Sequence, residues 1–151
     1  MREGMVLLRE RAAQVFPFPY RILQAEVEAE VGRVEAGLAI LDSQRVAIER
    51  SGQRMFDAEV HRVRGELLLR LEPADVAEAE AAFMRAVEIA RRQHTKTFEL
   101  RTATGLARLW RDQGKRQQAH DLLAPVFGWF TEGFDTLDLK EARALLDELA
   151  S

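Results

Sequence analysis

Residues 99–136, ELRTATGLARLWRDQGKRQQAHDLLAPVFGWFTEGFDT, decide the fold that the sequence predicts. Gly114 marks a tight turn, and apolar residues recur with helical spacing on both sides of it. Each side carries a small residue followed by a large one, namely Ala107 with Trp110 and Ala119 with Leu123. Two antiparallel helices approach closely only where one of them presents a small side chain, and a large neighbour fills the adjoining gap. The stretch therefore predicts a tightly packed helical hairpin followed by an aromatic-rich loop.

The same hairpin pattern occurs three times along the chain. The small residues of the first helices are 40 and 42 positions apart, and those of the second helices are 42 and 40 positions apart. In chain order the first set is Ala25, Gly65 and Ala107, and the second set is Gly37, Ala79 and Ala119. The large residues that follow the second set are Leu41, Phe83 and Leu123. Similarity at such a period indicates stacked helix pairs, and the pattern is that of a tetratricopeptide-like repeat with long second helices.

The repeats predict one all-α domain over residues 1–151. Its parts are a half repeat (1–15), three repeats (19–52, 56–93 and 95–130) and a C-terminal capping helix (137–150). The predicted helices are 3–15, 20–31, 34–51, 56–71, 76–93, a helix from Thr95 or Thr97 to Gly114, 115–129 and 137–149. The alternation typical of strands is absent. The predicted fold class is a right-handed α-solenoid of antiparallel helix pairs, with about eight helices in all.

Local signals set the expected helix ends. Pro17 and Pro19 predict a connector, because proline lacks the amide N–H and disfavours helical geometry in the residue before it. Asp75 is expected to cap one helix, either Thr95 or Thr97 is expected to cap the helix that ends at Gly114, and either Asp135 or Thr136 is expected to cap the last one.

The first segment looks like the second half of a repeat. Gly4 and Leu8 have the spacing of Gly37 and Leu41 in the next repeat. A repeat array normally ends in a polar capping helix, which the C-terminal end has and the N-terminal end lacks. We therefore expect either that the segment is cut from something longer or that another copy covers its N-terminal end.

The composition is that of a globular chain and excludes several functions. With a formal net charge of -3 and a pI near 5.7, the chain has no positive field that would attract nucleic acid. It has no cysteine, and therefore no disulfide, thiolate ligand or cysteine nucleophile, which agrees with a reducing compartment. No stretch has the length and hydrophobicity of a signal-peptide core or a membrane span. We expect a cytoplasmic protein that binds neither nucleic acid nor membranes.

The sequence lacks the motifs of common catalytic sites, and we expect no catalytic residue, cofactor or metal in this segment. It contains no Gly-rich phosphate loop, no G-x-S-x-G and no H-E-x-x-H. His61, His94 and His120 fall in three different repeats, which favours structural or surface roles over a metal site. Acidic residues have arginine partners one helical turn away, as Glu66 has Arg70, which favours surface ion pairs over a catalytic carboxylate pair.

Two further clusters have alternative interpretations. One is aromatic, and we favour a core under the capping helix over a ligand-binding box for Trp110, Phe127, Trp129, Phe130 and Phe134. The other is basic, and we favour a solvated face over an anion-binding surface for Arg91, Arg92, Lys96, Arg101, Arg108, Arg111, Lys115 and Arg116.

Three parts of the chain resemble a known family. They are residues 58–71 (AEVHRVRGELLLRL), 79–101 (AEAAFMRAVEIARRQHTKTFELR) and 106–149 (LARLWRDQGKRQQAHDLLAPVFGWFTEGFDTLDLKEARALLDEL). Together they resemble the C-terminal tetratricopeptide-repeat region of large bacterial signalling proteins. In that family a class III adenylate or guanylate cyclase domain, or a winged-helix or LuxR-type DNA-binding region, joins an AAA-type ATPase and a repeat array. The resemblance implies a sensory or scaffolding region that regulates the attached domain, and none of the family's catalytic residues lies in this segment.

A binding surface follows from the predicted repeat geometry. Tetratricopeptide-like arrays bind partners on the concave side, which the first helix of each repeat lines. Projection outward from the small residues of these helices selects Glu26, Glu30, Glu59, Arg62, Glu66, Arg70, Arg101, Arg108, Arg111 and Asp112. These residues predict a groove that runs from acidic to basic along the array. We expect it to recognise a charged peptide, another protein or a neighbouring domain of the same polypeptide.

Three classes of function are open at this point. The favoured one is a non-catalytic interaction or regulatory module, the C-terminal tail of a multidomain bacterial signalling ATPase, cyclase or transcriptional regulator. The alternative is a self-association module that forms a homodimer through its uncovered N-terminal helix. A small helical enzyme or ligand-binding protein would need a buried polar cluster, for which the sequence offers no convincing set of residues.

Overall fold

A computed structural model describes residues 17–151, and within that range the chain forms seven α-helices and no β-strand. The helices are α1 (Pro17–Glu30), α2 (Val34–Ser51), α3 (Asp57–Leu69), α4 (Val76–Arg92), α5 (Lys96–Asp112), α6 (Arg116–Trp129) and α7 (Leu137–Ala150). The predicted all-α class is confirmed, and every helix predicted after residue 19 has a counterpart. The predicted helix 3–15, with Gly4 and Leu8, lies outside the described residues. No helix in the described range has the length and apolar character needed to cross a membrane.

The predicted connector at the two prolines is wrong, because α1 already begins at Pro17. Pro17 and Pro19 lie in the first turn of the helix. The amide N–H groups of a first turn have no acceptor within the helix, so proline at these positions removes no helical hydrogen bond.

The other helix ends follow the sequence signals more closely. Gly32 and Gly114 have φ angles of +85° and +79°, so both glycines make the left-handed turns predicted for them. The carboxylate of Asp75 accepts a hydrogen bond from the backbone N–H of Glu78 at 3.2 Å, which confirms the predicted cap of α4.

Two predicted threonine caps have a different role. Thr95 and Thr136 do precede α5 and α7, but neither hydroxyl accepts a hydrogen bond from the helix that follows. Each hydroxyl instead donates to an earlier carbonyl, Thr95 to Ala90 at 3.3 Å and Thr136 to Gly133 at 2.7 Å. Threonine hydroxyls can bond to nearby carbonyl groups in this way, and here they stabilise the connection before the helix.

The helices pack in an alternating pattern. Each helix contacts the next one in the chain, and the odd-numbered helices also contact one another in the order α1, α3, α5 and α7. Within the described part of the chain, the backbones of α2, α4 and α6 are not neighbours. The odd-numbered helices therefore form a continuous row, and the even-numbered helices are spaced apart along it.

The core confirms the role of the small residues. Ala25, Ala79, Ala107 and Ala119 are completely buried. A Cβ atom at Gly37 would lie 2.7 Å from the carbonyl oxygen of Ala25 and 2.8 Å from a methyl group of Leu67, so α2 approaches both α1 and α3 as only glycine allows.

Phe83 of α4 packs between two glycines of neighbouring helices. A Cβ atom at Gly65 of α3 or at Gly105 of α5 would lie 3.0 Å from its ring. Phe83 is 1% exposed, so this ring fills the space between three helices at the centre of the chain.

Candidate interaction surface

All ten residues predicted to bind a partner lie on α1, α3 or α5, or at the ends of these helices. Carboxylates of α7 join them in the structure. We call this set the charged face: Glu26, Glu30, Glu59, Arg62, Glu66, Arg70, Arg101, Arg108, Arg111, Asp112, Asp138, Glu141 and Glu148. The odd-numbered helices thus bring the predicted residues together on one surface, and that surface extends further than predicted.

Arg62 is the centre of the charged face. Its guanidinium donates to both carboxylate oxygens of Glu59, at 3.0 and 2.8 Å, and to Glu66 at 2.8 Å. It also lies 3.7 Å from the carboxylate of Glu26 on α1. Burial by itself would lower the pKa of Arg62, but the hydrogen bond to Glu59 and the charges of the neighbouring glutamates raise that pKa overall. Arg62 is therefore a fixed positive charge, and its side chain is only 13% exposed.

Ion pairs also join α3 to α1 and to α5. Arg70 donates to Glu30 at 2.7 Å, and Arg101 lies 3.7 Å from Glu59. The predicted pairing of Glu66 with Arg70 is wrong, because these two residues turn to Arg62 and Glu30 instead. Arg62 lies four residues before Glu66 on the same helix, and the packing of α1 against α3 brings Glu30 to Arg70.

The arginines of α5 pair with the carboxylates of α7. Arg101 donates to Asp138 at 2.8 Å and Arg108 donates to Glu141 at 3.3 Å. A third contact joins Arg111 to Glu148 at 2.9 Å. The partners occur in the same order along both helices, so α5 and α7 run parallel.

These contacts alter the predicted charge gradient. The sequence predicts a groove that becomes basic at α5, but α7 places three carboxylates beside the α5 arginines. The charged face as a whole has eight carboxylates and five guanidinium groups, a formal charge of -3. Its net charge is therefore negative, and a basic segment would complement it better than an acidic one would.

Two clefts open on the charged face. One, of about 140 Å³, lies between α3, α5 and α7, and its lining is charged or polar throughout. The other, of about 360 Å³, lies where α1, α3 and α5 begin, and it combines the charged residues Glu26 and Arg62 with the apolar residues Leu23, Phe56 and Phe98. The second cleft has room for an apolar side chain next to charge, a combination that sequence reasoning missed because Phe56 and Phe98 are more than 40 positions apart in the chain.

The carboxyl group of Glu26, at the edge of this cleft, shares its arginine partner with two other glutamates. Burial raises the pKa of its carboxyl group, Arg62 lowers it, and the nearby charges of Glu66 and Glu59 raise it, with a net upward shift. Arg62 is shared by three glutamates, so the α1 end of the charged face keeps an excess of negative charge.

The predicted aromatic cluster divides into two parts. Trp110, Phe127 and Phe130 pack against the core formed by α5, α6 and α7, as the favoured interpretation predicts. Trp129 and Phe134 are exposed, and Trp129 stacks on Phe130 in an edge-to-face arrangement at 5.2 Å. The five rings do not form a single enclosed box.

The predicted basic cluster is spread over several ion pairs. Arg91 and Lys96 both contact Glu99, and Arg92 pairs with Glu88. Because most of these side chains have acidic partners on neighbouring turns or helices, the cluster does not form a continuous basic patch.

The three histidines lie apart from one another. His61 contacts Asp57 at 3.4 Å, His120 lies beside Asp121, and His94 adopts a φ angle of +55° in the turn after α4. Burial lowers the pKa of His61 more than Asp57 raises it. Within residues 17–151 no three histidine, aspartate or glutamate side chains converge as metal ligands would.

Comparison of the chain with known protein families, with curated proteins and with solved structures gives no match. The charged face and the packing of the helices are therefore the basis for a functional proposal.

Proposed function

We propose that the chain is a non-catalytic protein–protein interaction module, a right-handed tetratricopeptide-like solenoid whose charged face binds a basic segment of a partner. The resemblance described above suggests its setting, the C-terminal region of a multidomain bacterial signalling ATPase or cyclase, in the cytoplasm. The partner is then a separate protein or a neighbouring domain of the same polypeptide.

The packing of the helices supports the solenoid. The odd-numbered helices form an open row, and among the described helices α1 contacts neither α5 nor α7, as a closed bundle would require. The ion pairs between successive odd-numbered helices join residues 33 to 42 positions apart, close to the repeat period of 40 to 42. Stacked repeats produce this arrangement, because each helix pair contacts only its neighbours.

The single observation that carries the proposal is the unbroken charged face across the four odd-numbered helices. Most of its ion pairs are partly exposed, and exposed pairs contribute only about 0–1 kcal/mol each. A partner can exchange its own charges for such contacts at little cost. The more buried pair of Arg62 and Glu59 holds the face in shape during that exchange.

Binding can be tested with two fluorescent synthetic peptides of equal length. One carries lysine and arginine around a central leucine, and the other carries glutamate and aspartate around the same leucine. We expect fluorescence anisotropy to show that the basic peptide binds more tightly, and that added salt weakens its binding. Equal affinity for the two peptides would contradict the proposal.

Matched variants distinguish binding at the charged face from attraction to the net charge of the chain. Glu26→Lys with Glu66→Lys reverses two charges of the face, and Glu49→Lys with Glu72→Lys makes the same change in net charge at exposed positions elsewhere. We expect the first variant to lose binding of the basic peptide and the second to keep it. Equal losses would show attraction to net charge alone.

Self-association is the second candidate function. The N-terminal helix through which the sequence predicts it, 3–15, lies outside the described residues. The helix that follows it has exposed apolar residues four positions apart: Leu23 and Val27 of α1 and Val31, the residue after its end, are 57%, 51% and 60% exposed. Exposed apolar residues with this spacing are typical of a helix that packs against another helix.

A further inference from the structure

The second cleft of the charged face has an apolar wall. Phe56 and Phe98 meet there with their ring centroids 6.4 Å apart, and Leu23 of α1 also lines the cleft. Leu23 is 57% exposed and both phenylalanines are partly exposed, so this wall is open to a partner. With a volume of about 360 Å³, the cleft has room for one long side chain of a bound segment.

The charges of this cleft belong to a network with an excess of carboxylates. Arg62 and Arg101 supply its two guanidinium groups. These guanidinium groups contact four carboxylates, those of Glu26, Glu59, Glu66 and Asp138. The network therefore has a formal charge of -2, which a cation from a partner would complement.

Glu26 is the carboxylate of the cleft that a partner can reach. Its side chain is 37% exposed, whereas that of Glu59, the other carboxylate on the lining, is 9% exposed. Arg62 donates to Glu59 and Glu66 at 2.8 Å, but it lies 3.7 Å from Glu26, beyond hydrogen-bonding distance. Burial raises the pKa of Glu26 more than Arg62 lowers it, so the charge of this carboxylate is only partly compensated.

Other kinds of side chain fit the cleft less well. An acidic one would have to compete for Arg101 with Asp138, which accepts a hydrogen bond from it at 2.8 Å. A wholly apolar one would bury Glu26 further without giving it a partner, which costs free energy. A long basic side chain has an aliphatic stem and a charged end, so it can satisfy the apolar wall and the carboxylate together.

We propose that the second cleft is a pocket for one lysine or arginine side chain of the bound basic segment. The aliphatic stem packs against Leu23, Phe56 and Phe98, and the charged end meets the carboxylate of Glu26. Aromatic rings close to a cation add to this attraction. The inference rests on the function proposed for the charged face, and it adds the side chain that the partner inserts there.

The test uses the full chain and three fluorescent peptides that differ only in their central residue. The flanking cations are diaminobutyrate, a lysine analogue with a shorter stem, so that only the central residue can fill the cleft. That residue is lysine, diaminobutyrate with the same charge, or norleucine with the same stem and no charge. We expect the lysine peptide to bind about fivefold more tightly than either of the others in fluorescence anisotropy.

Paired variants assign these preferences to the cleft. Leu23→Ser should abolish the preference for lysine over diaminobutyrate, whereas Val46→Ser, at an exposed position of α2, should keep it. Glu26→Gln should abolish the preference for lysine over norleucine. Glu28→Gln makes the same change in net charge on α1 outside the charged face, where Glu28 pairs with Arg33, and should keep that preference. Circular dichroism checks that every variant keeps the helicity of the parent chain.

The outcomes separate this inference from the function on which it rests. Equal affinity for the three peptides, together with tighter binding of basic than of acidic peptides, leaves the charged face as a binding surface and overturns the pocket. Equal affinity for lysine and norleucine also overturns it, because the cation then has no part in binding. If lysine is preferred only after Phe16→Ser, the cleft is taken by the chain's own preceding segment, and the inference is overturned. Failure of every basic peptide to bind overturns both proposals.

Discussion

Replacement of Phe83 tests the centre of the fold. The ring is 1% exposed and lies against α3 and α5, so Phe83→Ala removes a large side chain from a space that three helices define. We expect the free energy of unfolding to fall by about 3–5 kcal/mol. Guanidinium denaturation, followed by circular dichroism, measures this change.

The glycines on either side of the ring make the test sharper. In an exposed helix, Gly→Ala stabilises by about 0.5–1 kcal/mol. At Gly65 and Gly105 the new methyl group would lie 3.0 Å from the ring of Phe83, and such overpacking costs about 1–3 kcal/mol. Because the ring is held on both sides, it cannot move away from one helix without approaching the other. We expect a net loss of up to about 2 kcal/mol for each substitution.

Gly128 of α6 provides the matched control. A Cβ atom at this position would have no neighbour within 4 Å, so Gly128→Ala should leave stability unchanged or raise it slightly. In a Phe83→Leu background the smaller side chain leaves room for a methyl group. We therefore expect Gly65→Ala to be less harmful there, with a coupling of about 0.5–3 kcal/mol in a double-mutant cycle.

One result would refute this account of the core. If Gly65→Ala and Gly105→Ala both stabilise the chain as Gly128→Ala does, and the residue at position 83 makes no difference, then the ring does not lie between these two glycines.

Three further predictions use the same unfolding measurement. Gly37→Ala should lower stability more than Gly65→Ala, because the new methyl group would meet a backbone carbonyl at 2.7 Å instead of a ring that can shift; a smaller loss would place α2 further from α1. The lowered pKa of His61 means that the unfolded chain binds more protons than the folded chain, so stability should fall as the pH is lowered through about 6.5, and His61→Gln should reduce that fall. The raised pKa of Glu26 has the opposite sign, because its charged form is disfavoured in the folded chain. Glu26→Gln should therefore raise stability at neutral pH, and this gain should disappear below about pH 4.5; a loss at neutral pH would show that the contact with Arg62 outweighs burial.

Sequence periodicity predicts the helices well because the signal is local. Apolar spacing places α2 to α7, and the small residues predict where neighbouring helices approach each other. The repeat period does not indicate which neighbouring helix a small residue faces. It selects Ala107 as the close-approach residue of α5, whereas Gly105 receives the ring of Phe83 and Ala107 is buried in the core shared with α6 and α7.

The charged face is predictable only in part, for a similar reason. Outward projection finds the charges of α1, α3 and α5, since each helix determines its own outer side. It misses Asp138, Glu141 and Glu148, because their place beside α5 depends on how the chain returns after α6.

The order of the ion pairs indicates how the stacked repeats would present their charges to a bound partner. Glu26 and Glu30 of α1 meet Arg62 and Arg70 of α3 in the same order along the chain, so these helices also run parallel. Successive odd-numbered helices thus present their charges at similar heights, one repeat after another. A partner segment that crosses the row meets a new set of carboxylates and guanidinium groups at each helix, about 8–10 Å further on. Affinity then grows with the number of helices the segment crosses, and short peptides that reach only one or two of them should bind more weakly than peptides that span the row.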